Sequence, residues 1–288
     1  MAPNTLALTN RAMIVNSGFL SMTSHILLVF IFTFVIHLIS TLSYSVQMVA
    51  VKTGRIAISF ALFNILALVS RTSNSFQAPL LAKNIEQNIL TGSHADVDSE
   101  FRWLLISATL ATIVGSFLIP TFQRLFSKVV LKFSATRSIP SLVLHAFSKS
   151  GIKHLRDNMK APSVHNISGL KEIHKAPLTV LLLNILVVAF LTTGVFSSLY
   201  AGYLDPSLRA TSSNLSAVVN GIATILMFVV VDPYLSAMTD DVAEGKVSEA
   251  FFRQCVVLLV VTRLIGTLLA QLLLVPGAHL IVAAARMI

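Results

Sequence analysis

Two arginines stand inside apolar runs where a membrane chain has no ordinary use for them. Arg71 follows the stretch IAISFALFNILALVS, and Arg263 sits inside VVLLVVTRLIGTLLA. A guanidinium at the centre of a bilayer costs about 2.5–3.5 kcal/mol on insertion scales. Its planar fork binds phosphate oxygens in pairs, so keeping two of them in hydrocarbon points to an anionic ligand. Hydroxyl and amide side chains recur nearby. Thr267 and Gln271 follow Arg263 at intervals of four, and Asn64 and Asn74 share a face with Arg71. His37 and Tyr44 lie on a stripe with Thr33, Ser40, Thr41 and Gln47. Asn184 with Thr192, and Asn220 with Thr224, are lesser members. Together these groups suit a hydrated, positively charged cavity for a polyhydroxylated anion such as a sugar phosphate. The plainer account of each is a hydrogen bond between helices, worth about 0.6 kcal/mol. For the arginines it is snorkelling or a bond to backbone carbonyls, Asp205 or Asp232.

The elements that must hold these groups are membrane helices. The chain has 288 residues, of which 55% are hydrophobic and only 11% charged. A soluble domain carries about a quarter charged residues. A span needs about 20 mostly apolar residues, and six segments qualify: His25–Val46, Ile56–Ser75, Trp103–Phe122, Leu178–Tyr200, Ser213–Val231 and Phe251–Val275. The expected fold is all-α and polytopic. It comprises an amino-terminal tail (1–25), spans one to three (26–122), a long basic loop (123–177) and spans four to six (178–288). Pro233 is expected to end the fifth span, with Asp232 capping the segment after it. The acids Asp232, Asp240, Asp241 and Glu244 read as a solvated turn rather than a cation site. The single cysteine, Cys255, allows no intramolecular disulfide and no C-x-x-C pair. The first apolar run is too long for a cleavable signal core.

Charge sets the orientation. Fourteen of the 21 Lys and Arg residues fall on the side that carries the long loop. The positive-inside rule places that side in the cytoplasm and, with six spans, both termini outside. Arg71 then lies in the outer third of its span and Arg263 near the midplane. The net charge of +9 sits between spans, which favours an anionic lipid surface over nucleic acid as partner. In the loop, Arg124, Lys128 and Lys132 stand four apart opposite Phe122, Leu125, Phe126, Val129, Val130 and Phe133. After Pro140 the pattern returns with Lys149, Lys153 and Arg156 against Leu142, Val143, Phe147, Ile152 and Leu155. Two basic amphipathic helices lying on the inner leaflet fit both stripes. They serve topological anchoring or the gathering of an anionic lipid head group.

Two stretches carry a resemblance. The run FIFTFVIHLISTLSYSVQMVAVKTGRIAISFALFNILALVSRTSNSFQAPLL (Phe30–Leu81) and the connection VDPYLSAMTDDVAEGK (Val231–Lys246) resemble the Amj-type lipid II flippases of bacteria. The ordered elements are IH…TLSYSV, KTGR and SRTSN; the long loop and the amino-terminal tail have no match. The resemblance implies transport of undecaprenyl-pyrophosphate-linked disaccharide-pentapeptide (lipid II) from the inner to the outer leaflet of the plasma membrane, for peptidoglycan synthesis. It implies no catalytic residue. No cofactor is expected, and the absence of G-x-x-x-x-G-K-[ST] excludes direct use of ATP through a P-loop.

Two other readings compete. SRTSN invites a membrane phosphatase acting on polyprenyl pyrophosphate. The acid-phosphatase type needs a His soon after its Ser-Arg, which SRTSNSFQAPLLAK lacks, and the pyrophosphatase type needs glutamates within the spans. A transporter of some other small solute, or a non-catalytic partner, remains compatible with composition.

Overall fold

A computed structural model describes residues 26–91, 97–136 and 177–288. Six long helices carry them: α1 (Ile26–Thr53), α2 (Ile56–Thr91), α3 (Val97–Thr136), α4 (Leu178–Leu204), α5 (Pro206–Ala243) and α6 (Glu249–Met287). Each of the six is long and apolar enough to cross a membrane. The fold is the expected all-α, polytopic one, and the six spans fall where hydropathy places them.

The helices overrun the spans. At 1.5 Å per residue, α6 is about 58 Å long, against a hydrocarbon core of about 30 Å. α2 runs past Ser75 through Pro79 to Thr91, and α3 runs past Phe122 to Thr136. The basic segment Phe122–Phe133 is therefore the end of a transmembrane helix rather than a separate helix on the surface. Its apolar face explains the difference. Phe126 and Val130 are buried against Val46, Val49 and Leu62 of the neighbouring hairpin, which satisfies that face within the protein. The stripe bearing Lys149, Lys153 and Arg156, and the amino-terminal tail, lie outside the described residues.

Pro233 does not end α5. Met227–Val231 form a π-turn, and the helix resumes over Asp232–Ala243 with Pro233 in its first turn. A π-turn shifts the amide–carbonyl pairing by one residue, which accommodates a residue with no amide donor.

Short turns fix the order of packing. Gly54 closes the α1–α2 hairpin at φ 63°, a left-handed cap in which its amide reaches the Ala50 and Val51 carbonyls. Ser248 caps α6, its hydroxyl accepting from the Phe251 amide at 3.2 Å. Asp205 joins α4 to α5, whose first residues, Pro206–Leu208, form a single 3-10 turn. We call the two ends of the bundle the Gly54 end and the Asp205 end. A large apolar core lies toward each. Phe101, Leu104, Leu105, Phe196, Leu199 and Leu274 fill the Asp205 half, and Leu235, Phe252, Val256 and Leu259 the Gly54 half.

Small residues let α4, α5 and α6 approach closely, as interfaces within membranes require. A Cβ on Gly266 of α6 would lie 2.8 Å from the Ile185 carbonyl and 2.8 Å from Val188 Cβ of α4. Gly194 of α4 makes the same kind of room for Asn220 of α5, and Gly277 of α6 for Ser197. The seam between α1, α4 and α6, where the polar residues concentrate, lies between the two apolar cores.

Candidate functional site

Arg263 is the centre of the site. It lies about 21 Å along α6 from Glu249 and is 4% exposed. Its Nε donates to Thr41 Oγ1 at 3.1 Å. Its Nη2 lies 3.4 Å from His37 Nδ1. An arginine is always the donor, so Nδ1 is the acceptor and the imidazole carries its proton on Nε2. Thr41 and His37 are one helical turn apart on α1, and the Thr41 hydroxyl donates to the His37 carbonyl at 2.7 Å. Gly115 of α3 closes the site from behind, since a Cβ there would come within 2.9 Å of Thr41. Among the described residues no carboxylate pairs with Arg263. A buried guanidinium is thus held by two neutral partners, which offset only part of its desolvation.

A second knot lies one turn toward the Gly54 end. Tyr44 of α1 donates to Asn184 Oδ1 of α4 at 2.9 Å. Asn184 Nδ2 donates to Thr262 Oγ1 at 2.9 Å and to the Leu259 carbonyl at 3.1 Å, both on α6. Asn184 is fully buried, and its amide ties three helices together next to Arg263.

The other expected members are placed differently. Thr267 is buried but donates to the Leu264 carbonyl of its own helix. Gln271 faces α3 near the Asp205 end. It exchanges two bonds with Arg102 there, its Nε2 donating to the Arg102 carbonyl at 3.1 Å and its own backbone carbonyl accepting from Arg102 Nη1 at 3.2 Å. Asn64 and Asn74 are exposed on α2 and do not join the cluster. Arg71 lies within α2, and its side chain is outside the described residues. Its level can still be read from the backbone. Gln77 of α2 donates to Thr33 of α1 at 2.8 Å. In an antiparallel hairpin that register sets Arg71 opposite Ile39, between the two α1 residues that hold Arg263. The two arginine positions share one depth, where span lengths alone separated them. Arg124, Lys128 and Lys132 are exposed along the end of α3.

Sequence reading missed the inward face of α2. Ser73, Gln77, Asn84 and Asn88 are buried at spacings of four, seven and four, a heptad-like polar stripe. Ending the span at Ser75 hid it. Asn84 donates to Glu100 at 2.9 Å across the α2–α3 junction. At the same end Glu86 and Arg209 stand 3.5 Å apart and line an open pocket of about 190 Å³ formed by α2, α4 and α5.

The arrangement defines a polytopic helical membrane protein with a buried cation at its centre, in contact with hydroxyl and imidazole groups rather than with an acid. It offers positive charge and hydrogen-bond donors at mid-depth. The chain belongs to the family described as Amj, alternate to MurJ, whose model matches residues 32–285. It is 36% identical over 263 residues, 90% of this chain and 96% of the relative, to the lipid II flippase Amj of Bacillus subtilis strain 168. No solved structure matches.

Proposed function

We propose that this protein flips lipid II across the plasma membrane, delivering the undecaprenyl-pyrophosphate-linked precursor to the outer leaflet for peptidoglycan synthesis. It acts as a transporter, not as an enzyme. Family membership and the likeness to a lipid II flippase along nearly the whole chain support the cargo. The observation that carries the mechanism is Arg263, a buried cation without a carboxylate partner among the described residues. A diphosphate brings the charge that this position lacks.

In this reading Arg263, with Arg71 at the same level, meets the two phosphates. Thr41, Tyr44 and Thr267 accept sugar and peptide groups as helices part, and the polyprenyl chain stays in lipid. Arg263 is enclosed in this structure, so loading requires α1 and α6 to separate, a form of alternating access. An inside-negative transmembrane potential acting on an anionic cargo favours its export. The Gly54 end, bearing Lys52, Arg55, Arg124, Lys128, Lys132 and Lys246, faces the cytoplasm by the positive-inside rule. Both termini then lie outside, and the basic residues of α3 and of the 123–177 segment lie against anionic head groups.

The test is purified protein in vesicles loaded with lipid II on one face. Lipid II becoming accessible on the other face, at a rate cut tenfold or more by Arg263→Ala, is the expected outcome. Equal rates in the variant and the wild type remove Arg263 from the mechanism, and no transfer by either removes the function.

A further inference from the structure

The contact between Arg263 and His37 has a consequence for protons. His37 Nδ1 accepts from Arg263 Nη2, so the imidazole is neutral while the site is empty. Both groups are buried. The lipid II diphosphate is a diester, with one negative charge on each phosphate at neutral pH and no proton of its own to lose. Arg263 is the cation in contact with His37. When phosphate oxygens take the guanidinium's donors, Nδ1 loses the hydrogen that faced it. It then stands beside an anion as a bare acceptor, an arrangement that repels.

We infer that His37 takes up one proton from water at Nδ1 each time a diphosphate occupies the site. Nε2 keeps its proton, the imidazole becomes imidazolium, and Nδ1 turns from acceptor to donor toward a phosphate oxygen. The coupling is reciprocal, as all binding linkage is. A proton on His37 in the empty site would set two cations side by side in a dry environment, and a bound diphosphate removes that repulsion.

The surroundings leave His37 as the titrating group. On α1 the nearest titratable neighbour is Tyr44, bonded to Asn184. On α6 it is Arg263. α3, packed at Gly115, has no titratable residue between Arg102 and Arg124. α4 has none from Leu178 to Leu199, and α2 has only Arg71 between Arg55 and Lys83.

This inference rests on the reading that the diphosphate meets Arg263, and one experiment separates the two. Purified full-length protein in detergent is titrated with a farnesyl-diphospho-N-acetylglucosamine diester between pH 5.5 and 8.5 at constant ionic strength. Affinity is expected to rise as pH falls, approaching about tenfold per unit where one proton is taken up. His37→Gln, whose amide oxygen can still accept from Arg263, is expected to bind weakly and evenly across the range. His279→Gln, on the exposed far end of α6, is expected to keep the slope. A flat wild-type profile, or a slope that persists in His37→Gln, overturns the proton uptake while leaving the diphosphate site standing. Binding that is unchanged by Arg263→Ala, or no binding at any pH, overturns the site and the proton uptake with it.

Discussion

α6 and α2 both carry an arginine in an apolar run, yet the structure uses the two helices in opposite ways. α6 buries an apolar face of Phe252, Val256, Leu259, Ala270 and Leu274, and Arg263 is the charged exception in it. α2 buries a face in which Ser59, Ser73, Gln77, Asn84 and Asn88 outnumber Leu62, Leu81 and Ile85. Its exposed side carries Leu68, Val69 and Phe76 beside Asn64 and Asn74. α6 is held by close backbone contact at Gly266 and by the Asn184 knot. α2 is held by the hairpin turn, the Gln77–Thr33 bond and the stack of Phe76 on Phe32, ring centres 6.3 Å apart. The difference teaches that a polar residue in a span acquires its role from what the neighbouring helix presents. Arg263 meets two acceptors on α1; Asn64 and Asn74 face outward. A closely packed α6 bearing the charge, beside an α2 whose inward face is polar, is a division suited to a carrier, since polar faces can part and hydrate.

The largest effect expected from this contrast is on transport. Arg263→Ala should lower outer-leaflet lipid II tenfold or more in cells that depend on this protein, while Asn64→Ala and Asn74→Ala should change it by less than about threefold. Lipid II accessible to an external probe measures it. A larger loss from the α2 asparagines than from Arg263 would reverse the contrast and place the cargo path along the open side of α2.

The next effect is on stability. Gly266→Ala puts a methyl against the Ile185 carbonyl and Val188 at 2.8 Å, and overpacking of that kind costs about 1–3 kcal/mol. A methyl at Gly221 would meet nothing within 4 Å. Gly221→Ala should be neutral or stabilise by up to about 1 kcal/mol, through helix propensity. Thermal unfolding in detergent should order the variants with Gly266→Ala below wild type and Gly221→Ala at or above it. Asn184→Ala falls between these extremes. It leaves the Tyr44 hydroxyl without its acceptor and removes the Asn184 donor from Thr262 and the Leu259 carbonyl, which keep a bond to each other, a loss of about 1–2 kcal/mol. The same measurement on Asn64→Ala should show a change of less than about 0.5 kcal/mol.

The same contrast explains what could be read from the sequence. Hydropathy and length located all six helices, because burial in lipid is a local, additive property of each segment. The Arg263, His37 and Tyr44 positions were legible as polar groups at mid-span, but their partners were not. Arg263 meets Thr41 and His37 across more than two hundred residues of chain, and nothing local sets the rotation of α1 against α6. Gln271 shows the limit plainly. Its spacing from Arg263 puts it on the same stripe, yet two turns of helix carry it to Arg102, which precedes the expected start of the third span at Trp103. The heptad-like Gln77, Asn84 and Asn88 stripe lay beyond the expected end of its span, since length arguments stop at the bilayer and helices do not. Pro233 stood as a helix end because the π-turn that absorbs it has no sequence signal of its own.

The smallest effect lies at the Asp205 end, outside the membrane-spanning segments. Asp205 accepts from the Ser207 hydroxyl and pairs with Arg286 at 3.0 Å, joining the α4–α5 turn to the end of α6. These two partners, the hydroxyl first, hold its carboxyl below the usual carboxylate range. A depressed carboxyl favours the folded state at pH values above the range in which the unfolded chain ionises. That contribution fades as pH falls through the usual range toward the depressed value. Because the pair is open to solvent, salt should weaken it as well. Unfolding of the wild type in detergent, followed from pH 6 to pH 3 against Asp205→Asn, should show the two midpoints converging as the solution is acidified. A gap that stays constant over that interval would mean that Asp205 acts as a neutral turn residue and that the α4–α5 turn is joined to α6 by packing alone, as it is at Ala201 and Ala278.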